Sequence, residues 1–157
     1  MPHNLLSGAI YPVIGQHERA VEEGREAVRL KPDSPIPYVL LMFSYITLNR
    51  LNEAKATYGQ AVARKFDYAL FYVAFYEIAF LQNDAAGMAQ QVAGSAGKPG
   101  VEDVLLDVEA ETAAYSGRLR DAREFFSAGG GFRRTSTSEG SCRNLLCPIW
   151  SAGGLVR

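Results

Sequence analysis

Cysteine is nearly missing from this 157-residue chain: only Cys142 and Cys147 occur, both near the C-terminus. The first 128 residues therefore owe nothing to disulfides. A C-x4-C pair with no second pair and no nearby histidine also falls short of the four ligands of a structural zinc. Histidine is as scarce. His3 and His17 are the only two, and neither stands at a recognised spacing from a carboxylate or cysteine that would build a triad or a metal cage. His17, at a turn, reads as solvated surface. A surplus of one charge is lacking too: 16 basic against 17 acidic residues give a net charge of −1. Without a basic stripe, nucleic acid is not expected as a partner. No apolar run reaches the roughly 18 residues that a membrane span needs. The opening MPHNLLSGAIYPVIG has no cationic n-region and no clean cleavage site, so the expected location is the cytoplasm. Gly129-Gly130-Gly131 lacks the Lys-Ser/Thr of a phosphate loop, and neither an H-R-D nor a D-F-G motif occurs. The expectation is a protein that is not an enzyme and uses no cofactor and no metal.

What the chain does have is residues 68–81, YALFYVAFYEIAFL, six aromatic residues and a single charge, Glu77. Alternation cannot explain it, because both faces of a strand would be apolar. A helix that is apolar nearly all round has to be covered by protein on most sides. This stretch is expected to be the central helix of a helical stack.

A period of 34 runs through the rest. Gly15-Gln16-His17-Glu18-Arg19-Ala20 aligns with Asn49-Arg50-Leu51-Asn52-Glu53-Ala54, with Asn83-Asp84-Ala85-Ala86-Gly87-Met88 and with Gly117-Arg118-Leu119-Arg120-Asp121-Ala122. Each segment begins with Gly or Asn, which tolerate the left-handed conformation after a helix end. Each closes on Ala, or on Met88 in the third, and a small residue there lets two helix backbones approach. Two helices per repeat follow: 18–30; 35–48 and 53–64; the aromatic stretch and a helix from Asp84; then 101–116 and 119–126. Ser34 reads as an N-cap with Pro35 in the first turn, and Asp67 as the cap of the aromatic helix. Tyr38, Leu41, Met42 and Tyr45 recur at helical spacing. Gly97-Lys98-Pro99-Gly100 is a stop signal. Pro12, by contrast, sits inside the expected first helix, where it removes a backbone bond.

This pattern resembles the tetratricopeptide repeat family, the 34-residue helix–turn–helix unit. The family's small and aromatic positions fall on Gly8, Tyr11, Ala20, Ala27 and Pro32, then on Tyr38, Leu41, Tyr45, Ala54, Tyr58 and Ala61. Tyr72 and Ala79 keep it in the third repeat, Ala122 and Phe126 in the fourth, while Met88 and Ser95 depart from the usual Ala. The resemblance implies an all-α, right-handed solenoid of about three and a half repeats over residues 1–128, divided near 1–34, 35–68, 69–102 and 103–128. The wording VEEGREAVRLKPDSPIPY is also similar in style to the repeat arrays that follow bacterial serine/threonine kinase domains.

Residues 129–157, GGGFRRTSTSEGSCRNLLCPIWSAGGLVR, break the pattern: six Gly, four Arg and one Glu, and no helical period. Two readings stand. A one-base shift through residues 128–134, with suitable codons, reads Arg-Ala-Val-Asp-Ser-Ala-Arg and would continue a helix; otherwise the segment is a native irregular tail. Within it, Arg133-Arg134-Thr135-Ser136 has the form of a basophilic kinase substrate site.

By the family resemblance, the concave groove is lined by the first helix of each repeat. Carried over, its positions are Val39, Phe43, Ile46 and Thr47, then Val73, Glu77, Phe80 and Leu81, then Asp107, Glu111 and Tyr115. The implied groove is apolar at its centre and acidic toward its C-terminal end. Lys, Arg and Asn, which grip a terminal carboxylate in the family's chaperone-binding members, are replaced by Ala9, Phe43 and Ala74. The expected function is a non-catalytic scaffold that binds a protein or peptide ligand with some basic character. Two alternatives stay open: a regulatory or sensor segment detached from a bacterial signalling kinase, and a homo-oligomer formed through uncapped terminal repeats.

Overall fold

A computed structural model describes residue 3 and residues 6–98 and 100–128. Readings that fall on residues 129–157, including Cys142, Cys147 and the Arg133–Ser136 motif, lie outside the described residues. Those described are all-α, with no strand among them, and no helix among them is long and apolar enough to cross a membrane. They fall into two compact units that divide between Asp67 and Tyr68.

The first unit opens with a π-helical segment, Leu6–Ile10, followed by three α-helical residues, Tyr11–Val13 (α1). The proline accounts for this irregular start. Pro12 has no N–H to return to the preceding turn and its ring crowds that turn. Three regular helices follow: α2 (His17–Leu30), α3 (Pro35–Thr47) and α4 (Leu51–Ala63). The four positions picked out by helical spacing on α3 form the core, with Tyr38, Leu41, Met42 and Tyr45 all buried. Helix α2 comes close to α3 because Gly24 faces it: a Cβ added there would lie 3.1 Å from Leu41 Cδ1 and 3.3 Å from Leu41 Cβ. Ser34 occupies the N-cap position of α3 in extended conformation but makes no side-chain cap bond. Prolines at 35 and 37 leave two of the first three helical positions without an N–H to offer.

The second unit holds α5 (Ala69–Leu81), α6 (Ala85–Ser95), α7 (Val101–Tyr115) and α8 (Leu119–Ala128). The aromatic stretch is indeed a covered helix: Phe71, Val73, Ala74, Tyr76, Ile78 and Ala79 are all buried. Its N-cap is Tyr68, not Asp67. The chain is still extended at Tyr68 (φ −134°, ψ 133°), so the helix starts one residue too late for Asp67 to be the capping residue. Asp84 does cap α6, accepting from the Gly87 N–H at 2.9 Å. Helix α7 packs on α5, and its Leu105, Val108 and Ala113 are almost fully buried.

One turn geometry recurs every 34 residues. Gly15, Asn49, Asn83 and Gly117 all have positive φ, between 55° and 76°. The next residue in each case, Gln16, Arg50, Asp84 or Arg118, donates its N–H to the carbonyl five residues back, each time at 2.8 Å. That bond satisfies a carbonyl that the helix end would otherwise orphan. Four residues further on, Ala20 and Ala54 are fully buried, while Met88 and Ala122 are half-buried.

Candidate functional site

The acidic end of the expected groove falls wholly within the second unit. Asp103, Asp107, Glu111 and Tyr115 stand four residues apart on α7 and so share one face of the helix. All four are exposed. Across from them, α5 contributes Phe80 and, three residues earlier, Glu77. The Phe80 and Tyr115 rings meet edge to face, centroids 5.7 Å apart and planes at 80°, a preferred aromatic geometry.

Glu77 is the odd member. Its exposure is 2%, and its Oε2 is buried without a hydrogen-bond partner. Burial, and next the charge of Glu111, push its carboxyl up to about 8. The effect passes along the helix. Glu111 is raised by the protein around it and then by Asp107, and Asp107 by the same cause and then by Asp103. Among the described residues none of these four carboxylates has an ion-pair partner, and no three His, Cys, Asp or Glu side chains are gathered so as to hold a metal ion. Asp103 was not among the groove positions carried over from the repeat pattern. As one of two acids in the first turn of α7, beside Glu102, it reads as an ordinary helix-start charge; only its four-residue step to Asp107 links it to the site.

The remaining expected groove positions are differently placed. In the first unit Val39, Phe43 and Ile46 are buried at 1%, 6% and 2% exposure, and in the second Val73 is at 0%. Thr47 is half-buried and turns its hydroxyl back onto the Phe43 carbonyl at 2.9 Å. Leu81 is exposed. Of the three stations that replace the carboxylate clamp, Phe43 and Ala74 are buried and Ala9 is half-buried.

In the first unit several charged groups are matched. Arg50 pairs with Glu53 at 2.9 Å and Glu18 at 3.4 Å, and its guanidinium lies 5.1 Å from the Tyr45 ring centroid. Arg25 donates to the Tyr45 hydroxyl at 2.9 Å. A shallow depression of about 570 Å³ in the first unit is flanked by Arg29, Tyr38 and Arg64, but Arg29 pairs with Glu26 and Arg64 with Asp33. His3 meets Glu23. His17 has a buried Nδ1 without a partner, but no cluster of acids forms around it.

Compared with family models, curated proteins and solved structures, the chain matches none.

Proposed function

We propose that this chain is a non-catalytic interaction module built from tetratricopeptide-type repeats, and that it binds a peptide or helix along the α5–α7 face of its second unit. The observation that carries this reading is the exposed row Asp103–Asp107–Glu111–Tyr115, acidic along its length and aromatic at its end where Phe80 adjoins. Burying an aromatic anchor beside charges that select the partner is how peptide grooves gain both affinity and specificity. The recurring left-handed turns support the repeat assignment, because they give each helix pair the same connection at the same period.

The test is a selection of a random dodecapeptide library, displayed on phage, against the full chain. Peptides should be enriched, and Tyr115→Ala should weaken them by roughly 1–3 kcal/mol if the ring is an anchor. Glu124→Ala, an exposed change on α8, should leave them unaffected. Failure to enrich any peptide, or equal affinity for Tyr115→Ala, would overturn the assignment.

A further inference from the structure

The Glu77 carboxyl is hard to account for by stability alone. A buried carboxyl oxygen with no hydrogen bond is a cost that an apolar side chain of similar size would avoid. It is also the wrong neighbour for Glu111, since two carboxylates that close oppose each other's ionisation. Neither adjoining helix supplies a partner: α6, which packs on both α5 and α7, carries no charged residue in Ala85–Ser95, and on α8, which packs on α7, Arg120, Arg123 and Glu124 are exposed while Asp121 pairs with Arg118. Asp107 and Asp103 on α7 add more charge of the same sign. Glu77 is buried while Glu111 is exposed, so the pair runs from the interior to the surface.

The missing partner is a cation, and the geometry narrows which kind. A compact metal ion needs its ligands gathered around one point, and the described residues offer no such trio. The carboxylates are instead strung along α7, with Glu77 to one side. That arrangement suits a flat cation with several donors pointing in different directions. A guanidinium has five N–H donors in a fixed fork, enough for two carboxylates at once, and it also stacks on aromatic faces. The Tyr115 ring, 54% exposed, stands one turn beyond Glu111.

We infer that the exposed Glu111 and Asp107, with the buried Glu77 carboxyl behind them, form a recognition station for the guanidinium of an arginine side chain on the bound peptide, with Tyr115 as its aromatic wall. This rests on the reading of the α5–α7 face as a peptide-binding surface. On binding, the guanidinium pairs with the exposed Glu111 carboxylate, and its positive charge, set beside the buried Glu77, lets that carboxyl give up its proton to solvent; one charge arrives with the ligand and one leaves with the proton. The rise of the Glu77 carboxyl, caused by burial and by Glu111, leaves that proton in place at neutral pH until the cation arrives.

The experiment uses the dodecapeptides selected at pH 7 against the full chain, each made in its arginine form and with arginine replaced by citrulline or by lysine. Arginine should be enriched at one position beside an apolar residue. The citrulline twin should bind wild type at least about tenfold more weakly, and the lysine twin should fall between, as loss of a charged, bidentate contact implies. Calorimetry in two buffers of different ionisation enthalpy should show proton release for wild type and none for Glu77→Gln. Glu111→Gln, at an exposed position, should shrink the gap between the arginine and citrulline twins. Peptides enriched without arginine, a citrulline or lysine twin that binds as well as the arginine form, or binding with no proton released would each overturn the inference while leaving the peptide-binding reading intact. A library with no enriched peptide overturns both.

Discussion

The hydroxyl of Tyr76 on α5 meets the hydroxyl of Thr112 on α7 at 3.0 Å, in the buried seam between the two helices. Thr112 also donates back to the Val108 carbonyl at 3.0 Å. Because Thr112 can keep that second bond, Tyr76→Phe removes one hydrogen bond without leaving an orphaned group. A loss of about 1 kcal/mol in unfolding free energy is expected from urea titration. Thr112→Val removes both bonds from the same side and leaves the Tyr76 hydroxyl buried alone. It should cost more, on the order of 1–3 kcal/mol.

The next residue along α5, Glu77, makes stability depend on pH in the direction opposite to that of a salt-bridged acid. Its carboxyl titrates at about 8 in the folded chain, against a reference of 4.5. Between those values the unfolded chain has given up the proton and the folded chain has not. Stability is therefore fully present below about 4.5 and falls as pH rises toward about 8. The drop is up to about 5 kcal/mol if the whole shift is expressed. Asp107, Glu109 and Glu111 are raised as well and add to this slope; Glu53, lowered by its bond to Arg50, changes stability only below about 4.5, where its contribution is lost as pH falls. The clean readout is the difference between wild type and Glu77→Met in chemical denaturation from pH 5 to pH 9. Parallel curves would show that Glu77 ionises freely in the folded chain.

Much of this was legible in the chain itself, for identifiable reasons. A left-handed turn residue admits few side chains, so Gly15, Asn49, Asn83 and Gly117 show their conformation in their identity. Buried faces repeat at helical spacing, so the α3 core was readable from Tyr38, Leu41, Met42 and Tyr45. Caps were less legible. Ser34 and Asp84 are both good capping residues, yet of the two only Asp84 makes the bond, and the aromatic helix takes Tyr68 rather than Asp67 as its N-cap. Whether a cap forms depends on which neighbouring N–H groups are free and where the backbone bends, and those are set by packing. The acidic row could be read from its four-residue step, but the burial of Glu77 could not. A single glutamate in an apolar helix points inward or outward according to how that helix is rotated against its neighbours.

The two asparagine turns give a sharper test of the repeat than the glycine turns. Asn49 and Asn83 sit at φ 56° and 55°, where a residue with a Cβ is strained and asparagine is tolerated better than most. Asn49→Ala and Asn83→Ala should each lower stability by about 1 kcal/mol, and the glycine replacements should be neutral or slightly stabilising. Thermal melts of the four variants decide this. Equal effects of Ala and Gly would mean that the asparagine side chains, not the backbone conformation, hold these turns.

Phe43 separates a packing role from a binding role. The repeat resemblance puts it on the groove, but in the first unit it is 6% exposed and has almost no surface to offer a ligand. Removing a buried aromatic ring loses both its transfer free energy and the contacts around the cavity left behind. Phe43→Ala should therefore cost about 3–5 kcal/mol of stability. The affinity of peptides selected against the α5–α7 face should stay within about twofold once only folded protein is counted, because additivity holds for sites that share no partner. The converse pair, Tyr115→Ala with little loss of stability and a large loss of affinity, follows from its exposure of 54%. If Phe43→Ala instead melts near wild type and loses the peptide, Phe43 belongs to the binding surface.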